Sequence, residues 1–138
     1  MKEYMELAYK EALKAYKRKE VPIGAVIVKE GKVITKSYNQ KEKKHQVTKH
    51  AEIIAIEKAS KKLKNWRLKN CELYTTLEPC PMCLGAIIQS RIKTVYYVIP
   101  ADNSHLDFFE SKNTNFVKLN LDNKYIDLLQ KFFQLKRK

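Results

Sequence analysis

The sequence predicts an α/β domain with a partly parallel sheet, and three observations carry that prediction. Apolar, β-rich runs alternate along the chain with segments of helical periodicity. Two of the runs, residues 71–75 and Thr94–Ile99, flank a segment at 81–90 that opens with Pro81, so strand, helix and strand follow in the order of a right-handed parallel crossover. Two further runs, Gly24–Lys29 and residues 33–37, are joined by Glu30-Gly31-Lys32 and read as a tight hairpin.

Taken in order, Met5, Ala8, Tyr9, Ala12, Leu13 and Tyr16 recur at helical spacing, which makes Lys2 to about Lys17 an amphipathic helix with its lysines toward water. The hairpin follows. Residues 38–49 are polar, lack periodicity and read as a connection. From His50 to about Lys62, Ile53, Ile54, Ile56 and Ala59 repeat in a helical pattern, with Thr48 placed to cap it. The crossover unit comes next. Residues 115–119 have the composition of a short edge strand. Tyr125, Leu128, Leu129, Phe132 and Phe133 define a last helix that ends in Lys136-Arg137-Lys138.

The 138 residues suit one domain, 1–138, long enough to bury a core without disulfides. The longest uncharged stretch, residues 79–90, falls well short of the roughly 20 residues of a membrane span. Lys2, Glu3, Glu6 and Lys10 interrupt any secretory leader, so the expected location is the cytoplasm. Gly24, Gly31 and Gly85 are too dispersed for a glycine-rich nucleotide loop. The 28 basic residues exceed the 15 acidic ones by 13, a balance that suits a phosphate-bearing partner. Only Arg18, Arg67, Arg91 and Arg137 are arginine, however, and a lysine excess of this kind follows from an AT-rich genome. Charge alone leaves nucleic-acid binding evenly weighed against a merely solvated surface.

Two segments carry chemistry: His50-Ala51-Glu52 and Pro79-Cys80-Pro81-Met82-Cys83. Each starts a predicted helix, so His50, Cys80 and Cys83 can converge at one end of the sheet. Three such ligands with no evident fourth describe a zinc site that keeps one position open for water. Placement in the first turn of a helix also favours the thiolate form of the cysteines. Glu52, two residues from His50, can reach a metal-bound water without binding the metal, take its proton and pass it to a substrate nitrogen. Hydrolytic deamination is the natural outcome. Alone, Cys-x-x-Cys reads equally well as a redox pair or half of a structural zinc knuckle; beside His50 and Glu52 those readings recede. Cys71, in an apolar strand, reads as a buried thiol, and His45 and His105 as solvated loop residues.

These residues resemble the zinc-dependent cytidine deaminase-like superfamily, whose signature is His-x-Glu followed by Pro-Cys-x-x-Cys, and within it the bacterial tRNA-specific adenosine deaminases. The similarity runs from Glu20-Val21-Pro22-Ile23-Gly24-Ala25-Val26 through Asn39, His50-Ala51-Glu52, Asn65-Trp66-Arg67-Leu68 and Thr76-Leu77-Glu78-Pro79-Cys80 to Ser90-Arg91-Ile92, nearly the whole chain. The zinc signature defines the superfamily; Trp66-Arg67-Leu68, Ser90-Arg91-Ile92 and the Phe132-Phe133 tail point to the tRNA enzymes. The resemblance implies a three-layer α/β/α fold with a central mixed sheet of about five strands, and a homodimer. It also implies hydrolysis of the wobble adenosine of a tRNA anticodon to inosine through a zinc-activated water. His50, Cys80 and Cys83 would bind Zn2+, Glu52 would shuttle protons, and Asn39 would contact the flipped nucleoside. Val21, Pro22 and Leu77, with Ala51, are expected to line the pocket. The chain departs from the family in residues 98–104, where Asp102 sits one position from the usual acid. Lys131, Lys136, Arg137 and Lys138 are candidates for contact with anticodon-stem phosphates, balanced against a solvated helix face.

Two rivals stand beside this reading. A guanine or other free-base deaminase of the same superfamily shares the run from Cys80 to Ala86; Trp66-Arg67-Leu68 and the basic tail argue against it. A noncatalytic zinc module that binds RNA would have little use for Glu52.

Overall fold

The computed structural model describes residues 1–109 and 113–136. Within them the order of elements is α1 (Lys2–Lys17), β1 (Gly24–Lys29), β2 (Lys32–Tyr38), α2 (Lys41–Lys44), α3 (Ala51–Leu63), β3 (Cys71–Leu77), α4 (Pro81–Gln89), β4 (Thr94–Ile99), α5 (Leu106–Phe109), β5 (Asn115–Lys118) and α6 (Lys124–Lys136). Among the described residues the strands form one five-stranded sheet in the order β2-β1-β3-β4-β5. β1 runs antiparallel to β2 and to β3, whereas β3, β4 and β5 are parallel, so the sheet is mixed and the expected crossover is present.

The β1–β2 turn is the tight one predicted. Glu30 and Gly31 both have positive φ, 50° and 79°, the left-handed pair that a two-residue hairpin matched to strand twist requires. Past Val33 the pairing slips by one residue and leaves Ile34 without a strand partner. β1 is buried on both faces, which explains its unbroken apolar run. Ala25 and Ile27 face a core shared with Ala51, Ala55 and Ala59 of α3, Ile87 of α4, Leu73 and Val95. Val26 and Val28 face the other core, built with Met5 and Ala8 of α1, Tyr74, and Tyr125 of α6. Helices thus cover both faces, the three-layer arrangement expected. α1 lies so close to β1 that a Cβ on Gly24 would meet the Ala8 carbonyl oxygen at 1.9 Å.

Two expectations are corrected. The stretch 38–49 is not purely irregular: α2 forms there because the buried carboxylate of Glu20 accepts the N–H groups of Glu42 and Lys43 at 3.0 and 2.8 Å. A four-residue helix has no stability of its own, and a distant residue supplies the cap. Thr48 does not cap α3. His50 occupies that position with extended backbone, while the Thr48 carbonyl accepts the His50 N–H at 2.9 Å. The remaining boundaries agree within two residues. Arg137 and Lys138 lie outside the described residues.

The outer edge of β2 is covered from α3. Lys58 and Lys62 donate to the carbonyls of Lys36 and Ile34 at 2.7 and 3.1 Å. No helix among the described residues is long and apolar enough to cross a membrane.

Candidate active site and metal centre

α3 is held in register on the sheet by hydroxyls of β2: Ser37 donates to the Ala51 carbonyl at 2.7 Å and Thr35 to that of Ala55 at 3.2 Å. This fixes where α3 begins, hence where His50 stands. α4 begins beyond the carboxyl end of β3, where the Glu78 N–H donates to the Ile99 carbonyl at 2.8 Å and Pro79 leads into Cys80 at the cap position. Pro81 opens the helix at a position whose N–H would have no partner anyway, and Cys83 closes its first turn. The two helix starts meet outside the carboxyl ends of the parallel strands, the usual location of a site in an open α/β sheet.

His50, Cys80 and Cys83 converge there, their ligand atoms all within 4.8 Å of one another. His50 Nδ1 lies 3.6 Å from Cys80 Sγ and 3.5 Å from Cys83 Sγ. Bonds of about 2.3 Å to sulfur and 2.0–2.1 Å to nitrogen at a tetrahedral angle would set those atoms about 3.6 Å apart, so the spacing is that of the edges of a tetrahedron around one ion. The donor set fits a borderline-soft metal such as zinc. Electrostatics agree: the Cys83 thiol, with help from His50, pulls Cys80 down to about 4, so a thiolate is at hand. Cys83 is held protonated in return by its bond to Cys80, and the same thiolate raises His50.

Glu52, one residue into α3, is buried, and its Oε1 has no hydrogen-bond partner. Burial pushes its carboxyl up to about 7, against the pull of a backbone N–H and of His50. A buried, unpartnered carboxyl oxygen beside a metal-type cluster is expected of a group whose partner arrives with substrate or ion.

The other expected residues divide. Asn39 is buried, with Nδ2 donating to the Val21 carbonyl at 3.4 Å and Oδ1 accepting the Lys41 N–H at 3.3 Å. Each atom keeps one further bonding capacity. Asn39 and Val21 share a cleft of about 270 Å³ with Glu20 and Phe133. Leu77 lies across Phe133, in a larger cleft of about 810 Å³ whose walls include Pro100, Ala101, Asp102 and Gln130. Pro22 is buried, and Ala51 has no exposed surface, packing in the α3 core. Cys71 is a buried free thiol at the opposite end of β3, and His45 and His105 are exposed; among the described residues none of the three joins the cluster.

Two residues escaped the sequence reading as actors. Glu20 anchors α2 and thereby the chain that follows Asn39. Glu78, buried, accepts the Ala101 N–H at 3.2 Å through Oε1, tying the divergent 98–104 segment to the ligand loop, while its Oε2 has no partner. The available signal was an acid followed within two residues by proline in both segments.

Residues 1–137 match the family model of MafB19-like deaminases. The chain is 48% identical over 94 residues to the tRNA-specific adenosine deaminase of Bacillus subtilis (strain 168), a match that covers 68% of this chain and 58% of that protein. It spans less than two thirds of the length of the curated relatives it matches. A solved structure from biochemical and structural studies of A-to-I editing by tRNA:A34 deaminases at the wobble position of transfer RNA superposes with a TM-score of 0.88 and 37% identity, over 94% of this chain and all of that one. The guanine deaminase of Bacillus subtilis superposes with a TM-score of 0.70 and 32% identity, over 99% of this chain and 92% of the other.

Proposed function

The chain belongs to the MafB19-like deaminase family, and from that membership we propose that it hydrolyses adenosine to inosine at the wobble position of a tRNA anticodon. The observation that carries the chemistry is the buried, unpartnered carboxyl oxygen of Glu52 beside the tetrahedrally spaced His50, Cys80 and Cys83. The similarity to proteins described as acting on tRNA adenosine supports the substrate.

In this proposal His50 Nδ1 and the sulfurs of Cys80 and Cys83 would hold Zn2+, which when bound would supply Lewis-acid activation of a water. Glu52 would take a proton from the attacking water as its oxygen bonds to C6 of adenine and give one to N1; a second water proton, relayed by Glu52, would reach the amino nitrogen as the C6–N bond breaks, so that water and adenosine become inosine and ammonia. Burial, which raises the Glu52 carboxyl's affinity for protons, suits it to a proton-transfer role. Asn39, with Val21, Pro22 and Leu77, holds the nucleoside; Ala51 supports the pocket from within the core. The whole chain, 1–138, works as one domain, in a cytoplasmic homodimer.

The test is nucleoside mass spectrometry of tRNA with adenosine at the wobble position, after incubation with the zinc-loaded protein and with its Glu52→Ala variant. Inosine from the first alone is the expected outcome; none from either sinks the substrate assignment. A second reading, free-guanine deamination, is favoured by the superposition on the Bacillus subtilis guanine deaminase. Turnover of free guanine that ignores added salt would select it, because binding that neutralises phosphates weakens steeply with salt.

A further inference from the structure

Trp66-Arg67 and Arg91, from the segments through which the sequence resembles the tRNA enzymes, stand far from the candidate site. β3 begins at Cys71, paired with Lys29, and β4 begins at Thr94, whereas the metal-type cluster lies beyond the strands' other ends. α3 runs from the site at His50 to Lys64, about 20 Å for its 13 residues. The 65–70 loop is fixed at the far end by bonds from the Asn65 N–H to the Ser60 carbonyl and from the Leu68 N–H to the Ser90 carbonyl, at 3.0 and 2.7 Å. That second bond brings Arg91 to the loop.

There the Arg67 guanidinium lies 4.4 Å, and that of Arg91 5.8 Å, from the centroid of the Trp66 ring. Trp66 is nevertheless 52% exposed. Lys64, Lys69 and Lys93 surround the group, all exposed. Among the described residues the acids toward this end include Glu30, in the hairpin turn, Glu72, which accepts the Tyr96 hydroxyl, and Glu3, beside the Tyr4 that donates to the Gly31 carbonyl. A lysine excess is a matter of composition, but two of four arginines placed on the chain's single tryptophan are not. Single exposed aromatics are ordinary; one gripped by two guanidinium groups within a basic field is the arrangement that stacks a nucleobase and neutralises the phosphates beside it.

We propose that this patch is a second RNA-binding surface, which holds an unpaired segment of the substrate RNA away from the target nucleotide. The inference rests on the reading of RNA as substrate. Charge argues against a second copy of the chain as occupant, since a two-fold contact would set the patch against itself, cation facing cation.

Trp66, the sole tryptophan, reports on the patch through its own emission. The probe is a short fluorescently labelled oligouridylate, which contains no adenosine and reads binding without turnover. The oligomer is expected to quench Trp66, and salt to reverse the quenching. Trp66→Ala should weaken binding about tenfold, and Trp66→Phe, which retains a stacking face, should restore most of the affinity. Arg67→Ala with Arg91→Ala should lower the log–log salt slope by about 1.4, the value for two phosphates of a single strand. Unquenched Trp66 at saturating oligomer would overturn the proposal. So would conversion of the arginine variant from dimer to monomer in size-exclusion chromatography, which would make the patch a subunit contact. Wobble inosine formed while Trp66 stays unquenched sinks the patch and leaves the substrate assignment; quenching without inosine does the reverse.

Discussion

Against one face of the sheet α3 lays a line of alanines, Ala51, Ala55 and Ala59, on Ala25, Ile27 and Leu73; against the other, α1 and α6 meet a bed of tyrosines. Tyr74 stacks on Tyr96 with centroids 4.7 Å apart and touches Tyr4 at 5.2 Å, while Tyr9 meets Tyr125 edge-on. Methyl-sized contacts bring a helix close and leave it one position, which the Ser37 and Thr35 hydroxyls then select. The site is built on that layer, with His50 and Glu52 at the head of α3. The aromatic layer supplies buried area and sets one wall of the clefts through Phe133. One layer positions the candidate site; the other supports it.

The largest effects on activity should come from Glu52 and from the His50, Cys80 and Cys83 cluster. Glu52→Ala is expected to lower inosine formation by about 10³-fold, within the usual range for a general acid–base group. Metal content by mass spectrometry should stay unchanged and thermal stability no lower, since a buried unpartnered oxygen is removed. A drop in metal content would show Glu52 to be a ligand instead. Cys83→Ala, or a chelator applied to the intact protein, should abolish activity and also lower the melting temperature, because a metal held by this cluster would be coupled to folding. Stability untouched by the chelator would contradict a role for the ion in joining the starts of α3 and α4.

Two overpacking variants compare the layers directly. Gly24→Ala must push α1 away from β1 and should cost about 2–3 kcal/mol in urea unfolding, yet leave kcat near that of the parent at low temperature. Ala55→Val should cost less, about 1–2 kcal/mol, and still reduce kcat more, because it displaces the helix that begins at His50. The opposite ranking of kcat would erase the proposed difference between layers. Tyr96→Phe, which loses only the 3.3 Å bond to Glu72 in the aromatic layer, should change stability by about 0.5 kcal/mol and activity not at all.

The strands and long helices were legible because their side chains repeat at the period of the element: β1 is apolar throughout and buried on both faces, and α3 carries its alanines every fourth residue. The metal-type cluster was legible because its members sit at the starts of two helices whose order along the chain forces them to one end. α2 was not. Its four residues, Lys-Glu-Lys-Lys, hold no pattern, and its cap lies 22 residues away in Glu20. Thr48 shows a related failure: a good capping residue two positions early lost to a histidine held by the cluster. The bond from Glu78 to Ala101 escaped for the same reason, since it depends on two strands lying side by side before either residue has a partner.

The lysines over β2 have a consequence beyond stability. An outermost strand with free carbonyls is a template on which another chain can add, and sheets that leave one bare tend to assemble into fibres. Here the ammonium groups of Lys58 and Lys62 occupy two of those carbonyls, at Lys36 and at the slipped residue Ile34. A strand arriving along that edge would have to displace two cations and pair across a break in register. The lysine-rich face of α3 thus guards the protein against itself, and neutralising both side chains, as acetylation does, would open that edge to self-association while leaving the deaminase site intact.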